Sequence, residues 1–154
     1  MLWSAPFCPS REICPMNNTP IPPQHLVPGT VVTVQMKGLF KLAHHFALVT
    51  DKMGADGFPI VVANSGETGG PGEQLWTEFV KGRSYRSFYP SKLPSSTVLY
   101  NAYSMFGTSY NFIHWNCEHF ANACHGRPAQ SHQIRGGLVL AAIMGGIALA
   151  ASRA

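Results

Sequence analysis

Charge is what this sequence has least of. Only 12% of its 154 residues are Asp, Glu, Lys or Arg, against roughly 25% in an average globular domain. Disordered chains are charge-rich and poor in apolar side chains, and here 45% of residues are hydrophobic, so a folded chain is expected. Cysteine is also scarce. Four in the whole chain do not build a disulfide scaffold, and a reducing compartment is expected because the chemistry read below needs a free thiol. The start, Met1-Leu2-Trp3, has no basic segment before an apolar run, so no secretory signal is read there. No internal repeat is visible. The positive excess is small, eleven Lys and Arg against seven Asp and Glu. That is too little and too scattered for nucleic-acid binding, although it favours contact with anionic surfaces.

What is present divides the chain into three parts. Residues 1–27 are expected to be a Pro-rich N-terminal arm, and its Cys8 and Cys14 match no zinc spacing. Residues 28–133 are expected to form the domain, large enough for one core. Residues 136–152 hold no charged side chain and lie between Arg135 and Arg153. A helix there would be roughly 25 Å long, against a bilayer core of about 30 Å. Gly137, Ala141 and Gly145 recur at a spacing that lets helices approach closely. The expectation is a hydrophobic C-terminal helix that anchors the protein to the cytoplasmic face of a membrane and could self-associate. A buried helix packed on the domain is the alternative.

Within the domain, Thr30 to Met36 and His44 to Thr50 read as strands, and Ile60 to Ala63 as a short buried strand closed by Asn64-Ser65-Gly66. Glu67 to Glu73 is glycine-rich but lacks the Lys-Ser/Thr ending of a phosphate loop, and reads as a plain turn. Glu78 to Tyr89, with Lys81, Arg83 and Arg86 among Tyr85, Phe88 and Tyr89, reads as a solvated loop or an edge strand, the alternative being a surface that meets lipid headgroups. Ser95 or Ser96 could cap a helix that stops at Gly107, and a last helix spans about Cys117 to His125. This mixture predicts an α+β fold.

The chemistry centres on Cys117. It follows Asn116 at the predicted first turn of that last helix, where unpaired N–H groups favour a thiolate and can hold an oxyanion. A thiolate nucleophile needs a histidine base. His45 opens the strand His45-Phe46-Ala47-Leu48-Val49, with His44 on the opposite face by alternation. Asn64 or Ser65, at the end of a neighbouring strand, could orient the base. Zinc is the competing constellation, through Cys117, Glu118, His119, Cys124 and His125. The adjacent pair Cys124-His125 would point apart on a helix, so no metal and no cofactor are expected.

Asn116-Cys117-Glu118-His119-Phe120 resembles the signature of the lecithin:retinol acyltransferase-like family, a branch of the NlpC-type, circularly permuted papain-like thiol enzymes. His45 to Val49 resembles its His-aromatic-Ala-aliphatic strand, and Gly107, Tyr110 and Asn111 also fit, over roughly Val27 to Gln133. The resemblance implies an antiparallel sheet packed with the nucleophile-bearing helix, with Cys117 as nucleophile and His45 as general base. Better-known members carry a second histidine on the next strand. Here either Ala63 or Asn64 takes that place, and with Ala63 the triad is incomplete. The implied activity is thioester-mediated acyl hydrolysis or transfer on glycerophospholipid esters. The alternatives are a thiol amidase or peptidase, and a catalytically inactive membrane-bound interaction module.

Overall fold

Runs of β-branched residues build the centre of the molecule. The computed structural model describes residues 21–37, 43–132, 134 and 136. Within them lie β1 (Val31–Gln35), β2 (His44–Met53), β3 (Pro59–Ser65), β4 (Gly70–Gln74) and β5 (Tyr85–Phe88), with helices α1 (Trp76–Val80), α2 (Ser95–Ser104) and α3 (Cys117–Cys124). The sheet order is β4-β3-β2-β1-β5, and every neighbouring pair is antiparallel. The expected α+β class is observed.

Strand alternation sorts the core into two layers. Val32, Val34, Ala47, Val49, Val61 and Ala63 face Trp76, Phe79 and Val80 of α1. Val31, Leu48 and Val62 face Val98 and Ala102 of α2 and Phe120, Ala121 and Cys124 of α3. The central strands are therefore apolar on both sides, and each large aliphatic or aromatic side chain so buried contributes roughly 1.5–3 kcal/mol.

Two segments differ from the sequence expectation. The plain turn expected over Glu67 to Glu73 contains β4, paired with β3 from Val61↔Gln74 to Ser65↔Gly70. Glycine and proline disfavour a central strand, but β4 is an edge, where Pro71 is tolerated. Gly70 is needed there because a Cβ would sit 2.2 Å from the Thr108 carbonyl oxygen. The segment Glu78 to Tyr89 splits into the end of α1 and the edge strand β5. Trp76, Phe79 and Val80 are buried on one side of α1, the i, i+3, i+4 pattern compressed into little more than one turn. Arg83 closes the helix, donating to the Val80 carbonyl at 2.8 Å, the Phe79 carbonyl at 2.7 Å and the Gln35 carbonyl at 3.0 Å.

Residues 1–20 of the expected arm lie outside the described residues, while Pro23–His25 form a short 3-10 turn. The expected C-terminal helix 136–152 also lies outside them, apart from Gly136. Among the described residues no helix is long and apolar enough to cross a membrane.

Candidate active site

Asn116 starts α3. Its Oδ1 accepts from the Glu118 N–H at 3.0 Å and the His119 N–H at 3.1 Å. His119 Nδ1 closes the turn, 2.9 Å from Asn116 Oδ1 and 3.3 Å from the Asn116 nitrogen. This is a capping box. The cap uses two first-turn donors, the Glu118 and His119 N–H groups, and not the Cys117 N–H. Glu118 is buried and accepts from Ser131 Oγ at 2.7 Å and from the His132 N–H at 3.1 Å. The signature residues thus build the turn under the nucleophile and tie it to the segment that follows.

The Cys117 sulfur lies 4.0 Å from the His44 carbonyl oxygen, at the start of β2. The sequence predicts a thiol that ionises easily, and the structure opposes this. Burial pushes Cys117 up to about 11, against favourable N–H groups of Phe46, Glu118 and Cys117 itself. Desolvation outweighs the helix end, because one turn of dipoles does not replace lost water around a full charge. Tyr110 also reaches this region. Burial raises its hydroxyl pKa, and the Cys117 charge adds to the shift.

His45 lies on the other layer. With Ala47 and Val49 it belongs to the face covered by α1, and its ring centroid is 5.2 Å from that of Phe79. Burial holds its pKa down to about 4, with Arg83 adding, Glu67 opposing and Lys81 adding. Alternation assigns His44, with Phe46 and Leu48, to the α3 side. Sequence reasoning aimed His45 at the nucleophile helix because α1, its actual cover, was not visible in the sequence. His45 and Cys117 nevertheless line one cleft of about 880 Å³, with His44, Tyr110, Phe79 and Phe112 among its walls. No hydrogen bond joins the two side chains, so the resting pair is a neutral thiol and a neutral imidazole.

Asn64 was expected to orient His45, and the structure gives it a different task. Continuing the Leu48↔Val62 register sets Asn64 beside Phe46 and Ser65 beside His45. Asn64 is fully buried, and its Nδ2 donates to the Trp115 carbonyl at 2.8 Å and the Asn116 carbonyl at 3.2 Å. It fixes the chain that enters α3, and no hydrogen bond joins it to His45. Ser65 lines the cleft, but its hydroxyl is 2.8 Å from Thr68 Oγ1, within the β3–β4 turn. The metal constellation does not converge either. His125 packs between Ser91 Oγ at 2.8 Å and the Gly29 carbonyl at 2.9 Å, one ring nitrogen on each. Sequence reasoning missed Phe79 and Arg83 as neighbours of the histidine. No motif marks them, and only the fold brings α1 over β2.

The depressed His45 pKa has a consequence for stability. Above pH 6.5 the ring is neutral in folded and unfolded chains and contributes nothing. Between 6.5 and about 4 only the unfolded chain takes up the proton, so stability falls as pH falls. The full span corresponds to up to about 3 kcal/mol at 1.36 kcal/mol per unit. His45→Gln is expected to flatten the urea midpoint between pH 6.5 and 4 relative to the parent. Parallel profiles for the two proteins would contradict it.

No protein-family model and no curated protein matches the chain.

Proposed function

We propose that this protein is a thiol-dependent acyl hydrolase or acyltransferase acting on glycerophospholipid esters, with Cys117 as nucleophile and His45 as base. The observation that carries the reading is that both residues line one cleft of about 880 Å³, a volume in the range of small-molecule sites. The resemblance of Asn116–Phe120 and His45–Val49 to the lecithin:retinol acyltransferase-like family supports it, and with it the permuted papain-like arrangement and a membrane as the place of action. The chemistry starts from neutral partners. Substrate binding brings ring and sulfur within reach, as catalytic hydrogen bonds often tighten only in the complex. His45 takes the thiol proton as sulfur bonds to the ester carbonyl carbon, and the Cys117 N–H faces the developing oxyanion. Collapse breaks the ester C–O bond, and the imidazolium returns its proton to the leaving alkoxide. Water then cleaves the thioester in a hydrolase, or an acceptor alcohol or amine in a transferase.

Intact mass after incubation with phospholipid tests this. An added acyl group that maps to Cys117 supports it, and unmodified protein under turnover conditions counts against it. The base has its own test. His45→Ala is expected to slow acyl release by at least ~10²-fold, in the range of general-base contributions. The geometry near His44 gives that residue a control role. A larger loss in His44→Ala than in His45→Ala would move the base to His44.

A second reading has one observation in its favour. A thiol raised to about 11 and not bonded to histidine also suits an interaction module without turnover. In that case a thiol-reactive acyl probe leaves Cys117 unlabelled in the folded chain.

A further inference from the structure

We propose that the mouth of the cleft docks on an anionic phospholipid bilayer, with Phe112 and Ile113 as the side chains that enter the lipid. The purpose of this contact rests on the lipid-directed reading of the cleft, but the contact itself needs no turnover.

Phe112 is 55% exposed and Ile113 53%, and both line the cleft together with Met36, 37% exposed. Other exposed apolar side chains, such as Tyr100 on α2 and Met53 at the end of β2, stand away from the cleft, and single ones are ordinary. An apolar group gathered at the opening of an apolar-walled cleft is what marks a contact surface. The pair is also held in place. Asn111 and Trp115 exchange backbone hydrogen bonds of 3.0 and 2.8 Å. Asn111 Oδ1 accepts from the Ile113 and His114 N–H groups at 3.0 and 2.9 Å, and Asn116 Nδ2 donates to the Phe112 carbonyl at 3.0 Å. The tip therefore loses little backbone freedom on binding.

Two further observations select a bilayer as the occupant. The first is charge. Lys37, Lys81 and Arg83 line the cleft against Glu67 and Glu78, with Lys81 3.7 Å from Glu67, an excess of one positive charge. Anionic headgroups match it, whereas a second copy meeting it face to face would bring like charge against like. The second is the course of the chain. Ile134 lines the same cleft, and the uncharged run 136–152 begins two residues later. If that apolar run enters a bilayer, the wall residue Ile134 just before it brings this opening toward the lipid.

The test uses the full chain carrying Ile113→Trp and phosphatidylcholine–phosphatidylglycerol vesicles, with and without bromine on the acyl chains. Relative to the parent protein, emission from the introduced indole is expected to shift to the blue and to be lost on the brominated vesicles. Phe112→Asp in the same background is expected to restore it. Vesicle-bound protein whose introduced indole stays unquenched would overturn the proposal, because the tail would then hold the chain with its mouth in water. No association with these vesicles would also overturn it. So would a parent dimer in sedimentation that Phe112→Asp converts to monomer, since that makes a second copy the occupant. None of these readouts depends on Cys117 chemistry, which the acyl-adduct mass reports separately.

Discussion

Replacing Cys117 with alanine is expected to lower acyl release from phospholipid by at least ~10³-fold, the usual scale for deleting a nucleophile, while the fold persists. The side chain sits at the edge of a cleft, so losing its sulfur opens no closed cavity, and α3 keeps its Asn116 cap. The destabilisation expected is below about 1 kcal/mol. Cys117→Ser should be nearly as inactive, because a hydroxyl is harder still to deprotonate in a site that already raises a thiol to about 11. The neutral resting pair adds a second signature. A preformed thiolate–imidazolium pair alkylates at a constant rate from low pH upward. Here the rate with iodoacetamide is expected to climb about tenfold per pH unit toward the thiol's own pKa. Catalysis by contrast needs neutral His45, so kcat/KM should hold through pH 6 and fail only near pH 4, where the ring takes its proton. A fall near pH 6.5, or full activity in Cys117→Ala, would each contradict the scheme. The two pH profiles together separate a base acting on a neutral thiol from a ready-made ion pair.

The parts of this site that could be read in the sequence are those whose cause is local. Asn116 before Cys117 is an N-cap beside an apolar helix face, and the cap is present with both of its hydrogen bonds. Thr30 to Met36 is a β-branched run and Phe46 to Val49 an apolar one; the first contains β1 and the second lies in β2. What could not be read depends on distant chain. The sequence of α1 shows one turn of Trp76, Phe79 and Val80, too short for a period to emerge. Without α1, nothing covers the second face of the sheet, and α3 is the helix toward which the sequence turns His45. β4 hides behind its glycines and proline, which read as a turn until β3 supplies a partner. Asn64 is the instructive case. Its position at the end of a strand neighbouring that of His45 was legible, but its partners are two carbonyls 51 and 52 residues away along the chain. No spacing rule points to them, and a polar residue at the end of a strand looks the same whether it serves a histidine or a backbone.

That difference is open to measurement. Asn64→Asp is expected to cost about 3–5 kcal/mol at pH 7, the scale of a buried charge without its partner. The amide now donates to the Trp115 and Asn116 carbonyls, and an ionised carboxylate would put negative oxygen against both. Its other oxygen would replace Oδ1, which is buried and has no hydrogen-bond partner among the described residues. Neither oxygen would find a donor. The protonated acid, however, can donate to one carbonyl, so most of the loss should disappear in acid. The sign follows from linkage. The carboxyl pKa in the folded variant lies above the unfolded value of about 3.9, the folded chain binds more protons, and stability falls as pH rises. The parent behaves the other way, because depressed His45 makes it less stable as pH falls toward 4. Urea midpoints are therefore expected to rise with pH between 4 and 6.5 in the parent, while in Asn64→Asp the carboxylate cancels or reverses that retained His45 rise, and the gap between the two proteins widens as pH rises. Asn64→Ala removes the donor without adding charge, and should cost about 1–3 kcal/mol with the parent's pH slope. If Asn64 instead served His45, the aspartate would raise the imidazole pKa and stabilise the charged ring. Histidine NMR would then report a higher pKa in the variant, in place of an unchanged value near 4 and a loosened start to α3.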